Sequence, residues 1–471
     1  MTLDPLDGTA TDIAGMVNTG QVSARDVTRR ALDRISALDE YVNAFTDVTA
    51  ARALAEADIV DARVARGETL PLAGAPYGVK NLFDLEGVAT RAGSKINRDN
   101  PAASHDATLV TRLREAGAVC LGALNMGEYA YDFTGRNAHD GDCRNPHDLT
   151  RMTGGSSSGS GAAVAAGMVA LSLGSDTNGS IRVPSSFCGL FGLKPTFGRL
   201  SRARSFPFTA SLDHLGPLAR SVRDLAVSFD VMQGADPLDY AQAVRPALAT
   251  LDRLDDGAGG LRIAVAGGYF RDDGFADANA AVDLVAAALG ATGTVEVPEA
   301  ARARASAFLI TNAESAALHL GRLKARAADF DPETRDRFLA GTMLPSAWYV
   351  AAQRFRSWYR AAVGALFETV DVVLAPATPF SALGLEQMTM TVRGEEVPAR
   401  ANIGIFTQPI SFAGLPVATV PVWPASGGLP IGVQVIAAPW REDLVLRVAA
   451  VLERGGVCRA PIAMVKDPAT P

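Results

Sequence analysis

Thr153-Gly-Gly-Ser156-Ser157-Ser158-Gly-Ser160-Gly-Ala-Ala163, followed by Ser175-Asp176-Thr177-Asn178-Gly179-Ser180-Ile-Arg182, is the stretch from which the rest of the chain is read. Serines crowded beside glycines let hydroxyls and backbone N–H groups converge on one point, as acyl transfer requires. The small residues from Gly161 to Val169 predict a helix packed tightly on a sheet, and Ala170-Leu-Ser-Leu-Gly174 reads as a strand. The serine loop therefore feeds a helix N-terminus, where unsatisfied N–H groups and a partial positive charge favour a developing anion.

Upstream, Leu72 to Val79 predicts a short strand ending at Lys80, and Ala107 to Glu115 a helix leading into the strand Ala118 to Gly122. Ala10 to about Arg66 has helical periodicity, with Ser23 and Asp26 as N-caps, and predicts two opening helices. This alternation implies an α/β chain with a parallel sheet flanked by helices. Downstream the pattern predicts strands at 261–266, 370–375, 416–422 and 431–437. Helices are predicted at 276–289, 299–326, 346–368 and 442–454. Asp255-Asp-Gly-Ala-Gly-Gly260 reads as a surface loop.

The 471 residues, 48% hydrophobic and 20% charged, can bury a large core, and a net charge of −7 without a basic block argues against a surface built mainly for nucleic acid. The acidic start Met1-Thr-Leu-Asp-Pro-Leu-Asp7 lacks a secretory pattern, and the longest small-apolar run is too short for a membrane span, so a cytoplasmic protein is expected. Cys120, Cys143, Cys188 and Cys458 are scattered and read as reduced thiols, mostly core; the histidines show no ligand spacing. No metal and no cofactor are expected.

Of the 44 basic residues only five are lysines: Lys80, Lys95, Lys194, Lys324 and Lys466. Arginine keeps its proton in a protein, whereas a desolvated lysine can lose it. Lys80, between Val79 and Leu82-Phe83, fits a titrating lysine best. The alternative is an aliphatic stem on the core with its head in water.

Four readings of the serines compete. Gly155-Ser-Ser157-Ser-Gly159 satisfies GxSxG, which would make Ser157 a nucleophile served by Asp213-His214 or by Glu314 with His319. A phosphate cradle is a second, although no GKS or GKT ending follows. A third is that Gly and Ser only permit a tight turn. The fourth joins Lys80 to both serine centres.

Lys80, Gly-Gly-Ser156-Ser157-Ser-Gly and Asp176-Thr-Asn-Gly-Ser180-Ile-Arg182-Val-Pro184 together resemble the amidase signature family, whose members are serine hydrolases with a Ser-Ser-Lys triad. The two serines stand 24 residues apart, as in the family. Asn145-Pro-His-Asp148, Phe187 to Pro195, Ala413-Gly-Leu-Pro416 and Leu429 to Gln434 extend the resemblance along nearly the whole chain. It implies a single domain over 1–471, with N-terminal helices at 1–66, a catalytic core at 70–225 and the rest of the sheet and its covering helices at 260–460. The sheet is expected to be central, mixed and mostly parallel, covered on both faces by helices.

The same resemblance implies Ser180 as nucleophile, Ser156 as a bridging serine after a cis peptide, and Lys80 as base. The N–H groups of Thr177, Asn178, Gly179 and Ser180 would form the oxyanion hole, with Ser157, Asp176 and Arg182 in support. Asn178 stands where many members have glycine, and Ser158 replaces a glycine.

Within the family two substrate classes compete. The glutamine amidases of aminoacyl-tRNA amidotransferases take ammonia from glutamine and carry a late acidic residue for the α-amino group; alignment on Thr407-Gln-Pro409 puts Gly404 there. The hydrolases of biuret-type ureides in cyanuric acid breakdown, biuret and carboxybiuret, are more similar through Asn81 to Gly87, Gly93 to Asn97, Ser175 to Ser180 and Ala437 to Trp440. That likeness implies a small ureide amide as substrate, ammonia release, and a homodimer joined by a small helical accessory subunit. Candidates to read the substrate are Tyr131, Asn178, His319, Arg322, Arg337 and Gln408. A catalytically silent amidase-like scaffold is the alternative of another class.

Overall fold

The computed structural model describes residues 4–271 and 273–465. Lys466 and the first three residues of the acidic start lie outside the described residues.

Local chemistry sets the first elements. Thr9 and Asp12 form a reciprocal capping box that opens the helix Ala10–Asn18. Ser23 accepts from the Asp26 N–H to open Ala24–Val42, whose Val27, Ala31 and Ile35 face the core before left-handed Asn43 ends it. A third helix, Ala50–Ala65, follows the four-residue strand Phe45–Val48. The opening segment therefore holds three helices and an edge strand rather than two helices. Four residues, of which only Phe45 is buried, are too few to register as an alternating pattern.

Among the described residues an 11-stranded sheet runs in the spatial order Phe45–Val48, Val119–Leu124, Pro76–Lys80, Leu171–Asp176, His214–Ala219, Phe191–Lys194, Val417–Val422, Ile431–Ala437, Val372–Pro376, Ile263–Ala266 and Gly293–Val295. The sheet is mixed. Parallel pairing is concentrated in two runs, one centred on Pro76–Lys80 and one on Ile263–Ala266. The strands between them pair antiparallel. Successive side chains of a strand point to opposite faces, so strands such as Leu171–Asp176 and Ile431–Ala437, buried at every position, are covered on both sides. The strands Phe191–Lys194 and His214–Ala219 escape a reading by alternation for this reason: they are buried on both faces.

The helix Ser158–Ala165 begins three residues earlier than its composition suggests and is buried throughout. Glycine, serine and alanine let it lie against Pro76–Lys80, Val119–Leu124, Leu171–Asp176 and His214–Ala219. Parallel pairing of Tyr77 with Leu171 and Val79 with Leu173 brings the C-terminal ends of two strands together, Lys80 on one and Ser175-Asp176 on the other. Helices Pro332–Thr342 and Ser346–Leu366 each pack on Ala300–Arg326, and the short helix Gln408–Ala413 packs on Ala300–Arg326 and Ser346–Leu366. Asp255 to Gly260 lies at the surface. Among the described residues no helix is long and apolar enough to cross a membrane.

Candidate active site

Lys80 ends its strand fully buried, with Val79, Leu82 and Phe83 also in the core. Its ammonium nitrogen donates to Ser156 Oγ at 2.6 Å and to Ser175 Oγ at 2.9 Å. Burial pulls its pKa down to about 7, partly opposed by the charges of Asp176, Asp213 and Asp132. Ser156 follows a cis Gly155–Ser156 peptide and is fully buried. Lysine and hydroxyl are thus in contact at the point where the two parallel strands end.

The turn after Asp176 is braced from below. The Arg182 guanidinium grips the Asp176 carboxylate with two bonds of 2.9 Å, and the Ile181 N–H adds a third at 3.2 Å. Burial disfavours the Asp176 charge, but Arg182 more than offsets it and holds the carboxyl well below its usual range. Arg182 also donates to Thr407 O and Gln434 Oε1, tying this turn to the late part of the chain. The Thr177 hydroxyl donates to Asp213 at 2.6 Å, and Thr407 Oγ1 donates to Asn178 O at 2.6 Å. Gly179 has φ +146°, and a Cβ there would come 2.2 Å from Thr407 Oγ1, so only glycine fits this turn. Among the described residues the N–H groups of Thr177 to Ser180 donate to no protein acceptor. Four donors therefore remain available around Ser180.

Ser157 sits differently. It is fully buried, donates to Ser175 O at 3.2 Å and accepts from Ser175 N at 3.3 Å, so its hydroxyl is absorbed by the neighbouring strand. The histidines recruited for an elbow lie elsewhere: His214 Nδ1 meets Asp176 O, and His319 lies against Tyr129 and Phe338. Glu314 accepts from Ser211 and Tyr349.

Above Ser180 a small cavity is walled by Tyr131, Phe133, Asn178, Phe208, Phe308, Arg337 and Gln408. It brings together four of the six candidate readers, Tyr131, Asn178, Arg337 and Gln408. His319 and Arg322 are outside its walls. His319 is fully buried among Tyr129, Phe330 and Phe338, and burial, with Arg322 nearby, lowers its pKa to about 3. Arg322 lies over the rings of Phe206 and Tyr129. Arg337 lies over the Tyr131 ring at 3.4 Å and donates to Tyr131 O at 3.1 Å, and no carboxylate pairs with it among the described residues. Gly404 borders Phe133, whose ring would be 2.4 Å from a Cβ at that position.

Ser175, Phe133, Phe208, Phe308 and Thr311, which accepts from the Asn178 amide at 3.0 Å, were not read from the sequence. Only Ser175, inside the quoted motif, left a signal there. The four cysteines are buried and free. Among the described residues no cluster of three or more His, Cys, Asp or Glu is arranged to hold a metal ion.

Known proteins match this chain along most of its length. AtzE, which belongs to the 1-carboxybiuret hydrolase of Pseudomonas sp. (strain ADP), is 56% identical over 445 residues, 94% of this chain and 97% of that protein. A glutamyl-tRNA(Gln) amidotransferase component of Geobacter sp. (strain M21) is 36% identical, covering 96% and 98%. A solved structure described as an unexpected vestigial protein complex, revealing the evolutionary origins of an s-triazine catabolic enzyme, superposes with a TM-score of 0.95. It is 54% identical and covers 98% of this chain and 100% of the other. The amidase family model matches residues 26–446, a span that contains Lys80, both serine centres and the cavity walls from Tyr131 to Gln408, so the chain is an enzyme of the amidase signature family.

Proposed function

We propose that the enzyme hydrolyses a small anionic ureide of the carboxybiuret class, releasing ammonia through an acyl-enzyme on Ser180. The observation that carries the substrate class is Arg337, a guanidinium at the cavity wall with no carboxylate partner among the described residues. A cation left unpaired in such a place is suited to a carboxylate brought by the substrate. The likeness to the 1-carboxybiuret hydrolase protein supports the same class.

The contact between Lys80 and Ser156 supports a relay of this kind. Ser180 Oγ attacks the carbonyl carbon and passes its proton to Ser156 Oγ as Ser156 passes its own to neutral Lys80. The oxygen, now anionic, is received by N–H groups of residues 177–180, where losing one donor typically costs about 3 kcal/mol. The relay runs backwards to protonate the departing nitrogen, and water then repeats the attack to free Ser180. Against glutamine as substrate stands Gly404, where the Phe133 ring fills the space an acidic side chain would need. The relative solved in a protein complex supports an accessory subunit here, and we propose a homodimer as the core of that assembly.

Ammonia release from carboxybiuret, biuret, allophanate, oxamate-type amides, glutamine and aryl amides tests the reading. The expected order places carboxylated ureides first. Glutamine or aryl amides at the head would overturn it, and no release from any amide, with or without a partner, would favour the scaffold.

A further inference from the structure

Two side-chain amides face the cavity, and each is held by one end. Gln408, 1% exposed, receives a bond from Arg304 Nε on its Oε1 at 2.7 Å. A guanidinium only donates, so the atom it meets is the oxygen, and the amide NH2 is the end left for the cavity. Arg304 is itself fixed by Asn402 Oδ1 at 2.5 Å and Ala401 O at 3.2 Å, and lies over the Phe308 ring. Asn178, 7% exposed, is held by its NH2, which donates to Thr311 Oγ1 at 3.0 Å. Among the described residues its Oδ1 is buried with no hydrogen-bond partner. A buried acceptor left unmade costs free energy until something donates to it. The bond from Thr407 Oγ1 to Asn178 O ties together the two segments that carry these amides, and both residues line the one cavity.

We infer that Asn178 Oδ1 and Gln408 Nε2 form an acceptor and donor pair that reads the N–H and the more distant C=O of a ureide, with Arg304 as the positioning residue for Gln408. This rests on the ureide reading of the same cavity. Asn178 belongs to the turn that receives the oxyanion, so it meets the N–H next to the scissile carbonyl. Gln408 meets the carbonyl beyond it. A carboxamide with CH2 in place of that N–H satisfies the donor and leaves the acceptor unpaired.

Biuret and malonamide differ by this one group and make the test. Asn178→Ala is expected to lower the ratio of kcat/KM for biuret to that for malonamide about 10-fold or more, since one neutral hydrogen bond is lost from biuret only. Gln408→Leu is expected to lower both substrates alike. Arg304→Met should reproduce the Gln408→Leu pattern and add nothing to it in the double variant, with Arg304→Lys restoring most of the activity. Equal losses on both substrates in Asn178→Ala overturn the acceptor role. Additive losses in the double variant, or failure of lysine to rescue, overturn the positioning role. If wild-type enzyme releases ammonia from malonamide but from no ureide, the underlying reading fails first and this one with it.

Discussion

Lys80 and Lys194 both close a strand of the central sheet and are both fully withdrawn from water, one among hydroxyls and the other among carbonyls. Lys194 donates to Pro195 O at 3.2 Å and to Leu415 O, and burial, with Arg182 beside it, pushes its pKa well down. Carbonyl oxygens neither release nor relay a proton. Lys194 can therefore only tie the chain around Pro195 to the chain around Leu415. Lys80 meets Ser156 and Ser175, whose hydroxyls can take a proton on one side and give one on the other. Burial prepares both amines to be neutral, and the chemistry of the partner decides which of them can work.

The widest test of that difference is substitution. Ser180→Ala and Lys80→Met are each expected to reduce ammonia release by about 10⁴-fold or more, and the double variant to be little worse, because groups that act as a unit do not add. Lys194→Met should instead lower Tm by several degrees, since a buried amine and two carbonyls lose one another, with kcat of the folded enzyme kept within a few-fold. Loss of turnover at unchanged Tm in Lys194→Met would erase the distinction.

A pH profile sharpens it. In the proposed relay Lys80 serves as base only when neutral, and its pKa is lowered to about 7, so kcat/KM is expected to rise about tenfold per unit with increasing pH below about 7 and to level above it. The direction is fixed: acid protonates the amine and stops the relay. Lys194→Met should leave this limb in place, whereas Lys80→Arg, which cannot lose its proton, should remain inactive at every pH.

The two lysines also mark how far the sequence reaches. Scarcity of lysine singled out Lys80, and a glycine-serine loop at the right distance pointed to Ser156 and Ser180. Apolar neighbours favoured Lys80, but the hydroxyls around it and the carbonyls around Lys194 were not legible, because Ser175 and Leu415 are brought in from other segments. Ser175 was one serine among many until the parallel register placed its strand beside Lys80. His319, a candidate reader for which packing on its alanine-rich helix was the other reading, lies outside the cavity walls, and the rings that bury it, Tyr129, Phe330 and Phe338, arrive from other segments. The edge strand Phe45–Val48 is absent from the local pattern for a different reason, its shortness.

The cavity wall extends the contrast, since Arg337 is a cation with one carbonyl, Tyr131 O, and no carboxylate paired with it among the described residues. Arg337→Met is expected to lower kcat/KM for carboxybiuret about 100-fold, the loss of one charge-assisted contact, and to change biuret little. Steady-state rates on the two substrates check this, and an equal loss on both would make Arg337 a wall rather than a reader.

The smallest expected effect concerns Phe133, another residue of the cavity wall, and Gly404 behind it. A Cβ at Gly404 would stand 2.4 Å from Phe133 Cζ and 2.5 Å from Cε2, well inside contact distance, so Gly404→Ala must move the ring. Overpacking of this kind costs about 1–3 kcal/mol, felt here as a lower Tm and a fall in kcat/KM of about tenfold, because the displaced ring enters the space above Ser180. Phe133→Leu in the same chain removes the ring edge and should recover most of the rate. If Gly404→Ala instead matched wild type, the ring would have room to yield, and the space that argues against a glutamine-gripping acid would not be closed.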